Sequence, residues 1–275
     1  MTVILALMGL NFMGCGTHEA ESTEVQVFIA ASLNSVMTEI AEKYREDNPG
    51  TEIVFNADSS GKLMTQIEEG YACDIFFSAA ERQMDRLEDD GFILEGTRED
   101  VLNNQLVVIS QNGSGTSVRG LSDIDKAESF ALAGGSVPAG KYTRQAFVNM
   151  GILSIPEDTA KETYDFTTKE VSDALGGVEI SEQDNVSKVL MAVMEGSCEV
   201  GTVYLSDIYG HENEVDILEI VPYELTGNII YPIARINNTE ASENEKKTAD
   251  DFVKYILSDE SKSIFKKYGF DTNVN

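Results

Sequence analysis

From residue 25 onward, short apolar runs alternate with amphipathic stretches, and that rhythm restricts the chain to α/β architectures in which helices cover a largely parallel sheet. Residues 25–31 (V-Q-V-F-I-A-A) read as a strand. The helix predicted next, over 33–48, puts Val36, Met37, Ile40, Ala41 and Tyr44 on one face, and Pro49-Gly50 ends it. A strand over 52–56, a helix over 60–69 stopped by Gly70, and a strand over 74–78 continue the pattern. At 275 residues the chain has room for two ordinary domains. Two later strand-like runs, 106–110 (L-V-V-I-S) and 229–236 (I-I-Y-P-I-A-R-I), enclose a block with the same βα rhythm and read as two crossings between lobes. Lobe one then comprises 24–105 plus 230–275, and lobe two comprises 106–229. A ligand belongs in the cleft between them, because small ligands favour domain interfaces and a double crossing makes a hinge. No internal repeat is readable in the sequence.

Charge narrows the partners. With 48 acidic against 20 basic residues the formal charge is −28, which excludes nucleic acid and anionic membrane surfaces as electrostatic partners. An anion could still be captured, but only by short-range donors such as the free N–H groups at helix starts. The apolar, uncharged residues 1–14 run directly into Cys15-Gly16, the pattern of a lipoprotein signal peptide, although the usual basic start is missing. Cys15 is then the lipidation site and 15–23 a tether, which puts the protein at the outer face of the cytoplasmic membrane with a lipid anchor as its membrane contact. Cys73 and Cys198 fall in different halves and are expected to stay unpaired. There is no C-x-x-C and no His/Cys cluster, so a nitrogen and sulfur metal site has no material. The two histidines, His18 in the tether and His211 in an acidic loop, offer no base to a nucleophilic serine, and no G-x-S-x-G elbow is present. The expectation is a protein without enzymatic activity or cofactor.

Four places share one grammar, in which a strand or loop ends, a small or hydroxyl residue follows, and a helix begins. They are Ala30-Ala31-Ser32-Leu33, Asp58-Ser59-Ser60-Gly61, Val137-Pro138-Ala139-Gly140 and Asp184-Asn185-Val186-Ser187. Each is either an ordinary helix cap or a set of donors for an anion. Their distribution over both halves allows a cleft to bring all four around one ligand.

These segments, together with Lys141-Tyr142, Gly201-Thr202-Val203-Tyr204-Leu205-Ser206-Asp207 and Phe265-Lys266-Lys267-Tyr268-Gly269-Phe270, occur in an order that resembles the periplasmic molybdate-binding protein family. The resemblance spans residues 25 to 270. It implies a two-lobed, type II periplasmic-binding-protein-like fold, and a monomer that captures molybdate or tungstate and delivers it to an ABC permease. It further implies that the oxyanion is held by the hydroxyls of Ser32 and Ser60, the backbone amides of Ala139 and Val186, and the hydroxyl of Tyr204. The only metal is then that of the oxyanion itself. A donor-only site suits molybdate, which is a bare dianion at neutral pH, whereas phosphate usually keeps a proton and needs an acceptor. Sulfate or phosphate is the alternative ligand, and an iron receptor of the same fold class would require clustered tyrosines with a carboxylate or histidine. Asp58 is expected to face outward as a cap for the next helix, and Lys62, Lys141 and Lys188 to be solvated.

Overall fold

The computed structural model describes residues 22–156 and 160–274, so the expected signal peptide, with Cys15 and His18, lies outside the described residues. The chain first builds β1 (Thr23–Ala30), α1 (Asn34–Asp47), β2 (Thr51–Asp58), α2 (Ser60–Glu68), β3 (Ile75–Phe77), α3 (Glu81–Asp89) and β4 (Glu99–Asn104). It continues through β5 (Leu106–Gln111), β6 (Ser129–Ala133), α4 (Pro138–Asn149), α5 (Thr168–Ala174), β7 (Glu179–Gln183), α6 (Val186–Met194), β8 (Val200–Tyr204) and β9 (Val215–Ile220). It returns through α7 (Tyr223–Thr226) and β10 (Ile229–Arg235) and closes with α8 (Glu243–Ile256) and α9 (Asp259–Lys267).

The strands form two five-stranded sheets, ordered β2-β1-β3-β10-β4 and β7-β6-β8-β5-β9. Each sheet is therefore one chain segment of βα units plus one strand from a crossing. Within each, the pairs built from consecutive βα units are parallel, β1 with β2 and β3, and β6 with β7 and β8. The crossing strands differ: β10 runs antiparallel to β3 and β4, and β5 runs antiparallel to β8 and β9. The expected largely parallel sheet is thus a mixed one, because a strand arriving from the other lobe has no helical crossover to turn it around.

The α1 face shows the local logic. Val36, Met37, Ile40, Ala41 and Tyr44, spaced for one face of a helix, are all buried against the first sheet and α8. Burying each large side chain contributes about 1.5–3 kcal/mol. Gly70 ends α2 with a positive φ of 88°, a conformation that side chains resist.

The hinge is made of two adjacent passages. Gln105 alone separates β4 from β5, and residues 221–228 lead back to β10. They are tied to each other: Asn103 Oδ1 accepts the Ile229 N–H at 2.8 Å, and Gln105 Nε2 donates to the Val221 carbonyl at 3.4 Å. Pro232 lies within β10, where its missing N–H coincides with a register shift between Tyr231 and Pro232 against β4.

Candidate functional site

Where the two sheets face each other, Ser32 and Ser60 from one side and Ala139, Val186 and Tyr204 from the other line a single small cavity. The space between its lining atoms is about 210 Å³. None of its lining residues carries a charge. A wider hollow lined by Glu81, Arg98, Glu99 and Asp100 sets three carboxylates against one guanidinium and so disfavours an anion.

Tyr204 ends β8 and is 1% exposed, yet its hydroxyl has no hydrogen-bond partner. An unpartnered buried hydroxyl costs about 1–3 kcal/mol, a cost that an acceptor placed in the cavity would remove. Burial, with the neighbouring phenol of Tyr231, holds this hydroxyl well above the ordinary tyrosine range, so it remains a donor. The backbone N–H of Tyr204 is separately satisfied by the Asp207 carboxylate at 2.8 Å.

The serine hydroxyls are not helix caps. Ser59, not Ser60, is the N-cap of α2, its side chain accepting the Lys62 N–H. Ser60 is the first helical residue, fully buried, and its Oγ accepts the Ala79 N–H at 3.0 Å. The hydroxyl accepts in that bond, so its own proton is available to an acceptor in the cavity that Ser60 lines. Ser32 sits in a 3₁₀ turn, Ala31–Leu33, rather than at the start of α1, which begins at Asn34. Its Oγ lies 2.9 Å from the Tyr231 hydroxyl, which in turn accepts a hydrogen bond from Asn104 Nδ2 at 3.1 Å. With Asn104 donating to Tyr231, the phenol can in turn donate to Ser32 Oγ, an arrangement that would leave the serine proton for a ligand. Asn104 Nδ2 also donates to Ser206 Oγ at 2.8 Å, so this chain of side chains links lobe one to lobe two at the hinge. Sequence reasoning missed Tyr231 and Asn104. A tyrosine inside an apolar strand and an asparagine beside the crossing carried no signal of their own.

The two backbone donors belong to helix starts. In α4, Pro138 takes the first position, where no N–H is needed, and the first intrahelical bond runs from Lys141 N to the Val137 carbonyl at 3.0 Å. The Ala139 amide precedes that bond and is free of the helical ladder. Gly140 allows α4 to start this close to β6: a Cβ there would lie 2.2 Å from the Ala133 carbonyl oxygen. In α6, Asn185 is the N-cap, its side chain accepting the Lys188 N–H at 3.0 Å, and Val186 is the first helical residue. Three helix N-termini, those of α2, α4 and α6, therefore contribute residues to one charge-free cavity, each carrying roughly half a positive charge from its backbone dipole.

Charged residues stand outside it. Asp58 is not the expected cap, a role Ser59 fills; its carboxylate accepts the Ser59 N–H at 2.7 Å and the Asn185 Nδ2 across the cleft at 3.1 Å. It does not line the cavity. Lys62 is 3.5 Å from Asp184 of the other lobe and 3.8 Å from Asp58, while Lys188 pairs with Asp184 at 2.7 Å. Lys141 departs from expectation: it is half-buried, and burial together with the charge of Arg82 lowers its pKa. The charges that act on it are Arg82, Asp85 and Glu81 of α3 together with Glu162. Neither Ser32 nor Ser60 is hydrogen-bonded to a histidine, and His211 pairs with Glu214. Cys73 and Cys198 are buried free thiols. Among the described residues no group of three or more His, Cys, Asp or Glu side chains is placed to hold a metal ion.

The family described as bacterial extracellular solute-binding protein matches residues 25–271. The chain belongs to this family. Among its relatives are the molybdate-binding protein ModA of Haemophilus influenzae, 28% identical over 270 residues and covered to 95% on both sides, and the ModA of Escherichia coli, 27% identical over 277 residues and covering 97% of this chain and 96% of the relative. The periplasmic molybdate-binding protein of Azotobacter vinelandii shares the fold, with a TM-score of 0.72 at 20% identity over 90% of this chain and 98% of the other. The architecture is accordingly the two-lobed type II fold of periplasmic binding proteins. Members of this solute-binding family serve transport, and the resemblance read from the ordered motifs points to the same group.

Proposed function

We propose that this chain captures molybdate, and tungstate through the same contacts, and presents it to an ABC permease without performing any chemistry. The hydroxyls of Ser32, Ser60 and Tyr204 and the amides of Ala139 and Val186 would donate to its oxygens. The observation that carries this reading is the buried, unpartnered Tyr204 hydroxyl in a cavity that the other four residues also line and no charge enters. A bare tetrahedral dianion offers acceptors only, and neutral buried donors match it without a counter-charge. Phosphate fits less well, because its remaining proton calls for an acceptor and Asp58, the nearby candidate, is committed to Ser59 and Asn185 outside the cavity. Lipidation at Cys15 would tether a monomer to the outer face of the cytoplasmic membrane.

Calorimetry with molybdate, tungstate, sulfate and phosphate tests the reading. Molybdate and tungstate are expected to bind tightly and to displace sulfate. Tighter binding of sulfate or phosphate than of molybdate would overturn it.

A further inference from the structure

On the oxyanion reading of this cavity, capture of the anion by both lobes at once depends on how closely they can approach. Gly61 is the second residue of α2, directly after Ser60. Its backbone is not among those with positive φ, so no left-handed conformation requires glycine there. Within a helix almost any other residue is favoured over glycine. The reason for glycine lies across the cleft. A Cβ at position 61 would stand 2.5 Å from the Ser136 carbonyl oxygen, 3.3 Å from its carbonyl carbon and 3.4 Å from its Cβ. All three of those nearest atoms belong to the opposite lobe. The oxygen is main chain, in a turn where the Val137 N–H is bonded to the Gly134 carbonyl at 3.0 Å, so it lacks the freedom of a side-chain tip to step aside. Ser136 is also three residues before Ala139, on the loop that delivers α4 to the cavity.

We propose that Gly61 permits closure: lacking a Cβ, it lets lobe two approach until the Ala139 amide and the Ser60 hydroxyl reach the same small tetrahedral anion. Two contacts flank the approach on the same side, Lys62 to Asp184 at 3.5 Å and Asn185 Nδ2 to Asp58 at 3.1 Å. With alanine at 61 the Ser136 carbonyl must retreat by roughly 1 Å to reach an ordinary contact, and a hydrogen bond stretched by that amount lies outside the useful range. The cavity would then remain too wide for donors of both lobes to engage one anion together.

The test compares wild type, Gly61→Ala and a control, Gly50→Ala, whose added Cβ meets nothing within 4 Å. Sodium molybdate affinity is measured by calorimetry, melting temperature without anion by circular dichroism, and compactness with and without saturating molybdate by small-angle X-ray scattering. Gly61→Ala is expected to melt no lower than wild type without anion, to bind molybdate at least tenfold more weakly, and to keep its ligand-free radius when molybdate is added. Gly50→Ala should bind as wild type does. Molybdate binding by Gly61→Ala within twofold of wild type would overturn the proposal, and so would a marked loss of its anion-free stability, since that would place the obstruction within lobe one. A wild type that binds none of the tetrahedral anions is a different result: it removes the oxyanion reading itself.

Discussion

Replacing Tyr204 with phenylalanine removes one oxygen atom from the cavity and leaves the ring packed edge-on against Tyr231, with centroids 5.8 Å apart. Two effects of opposite sign follow. Without ligand, the closed form no longer buries an unsatisfied hydroxyl, a penalty of about 1–3 kcal/mol, so the variant is expected to melt no lower than wild type and to close more readily. With molybdate, one hydrogen bond to a charged acceptor is lost, about 1.5–3 kcal/mol, which is roughly a ten- to hundredfold loss of affinity. Thermal melts with and without molybdate, alongside calorimetry, read both quantities from the same preparation. A structural tyrosine would behave differently, because its removal would lower the anion-free melting temperature and leave the ligand-induced shift intact. If Tyr204→Phe binds molybdate as tightly as wild type, or is destabilised without it, the assignment of its hydroxyl to the ligand is wrong.

Other outcomes separate the remaining contributions. Val186→Ala keeps its N–H and should bind almost normally, whereas Val186→Pro, at a first helical position that tolerates proline, should fold and bind at least tenfold more weakly in calorimetry; equal damage from both would refute the backbone-donor role. Because the cavity is lined by neutral groups, molybdate affinity should change less than about threefold on a large addition of inert salt, and Lys62→Ala, removing an exposed pair worth about 0–1 kcal/mol, should do little; a steep salt dependence would assign the binding to lysines instead. Burial pushes the Asp207 carboxyl up to about 7, opposed by the Tyr204 N–H that it accepts. A value raised on folding means that stability is full below the unfolded value near 4 and declines as pH rises toward 7. The melting temperature of Asp207→Asn relative to wild type should therefore increase between about pH 4 and 7, and a constant difference over that window would contradict it.

Much of this protein was legible along the chain because it depends on local chemistry. Period-2 and period-3.6 patterning located β1, α1, β2, α2 and the two runs that became β5 and β10, within a few residues of their observed bounds. Helix starts are encoded the same way, so Pro138, Asn185 and the Ser59-Ser60 pair announced where α4, α6 and α2 begin before any packing was known.

Tertiary structure decided whatever depends on atoms distant in sequence. The two sheets share one strand order although no repeat is readable, because strand order is set by crossovers and burial, which many unrelated sequences satisfy. The crossing strands are antiparallel for the same topological reason. Which serine of the pair caps α2 turned on a single bond, from the Lys62 N–H to the Ser59 hydroxyl, and the fate of Asp58 on Asn185, 127 residues away. Tyr231 and Asn104 acquired a role only when the hinge placed them beside Ser32. Gly61 reads locally as an unremarkable helix residue, and only the approach of Ser136 from the other lobe gives its missing methyl group a meaning. A sequence records which groups can donate, whereas the space left between two lobes exists only once both have folded and met.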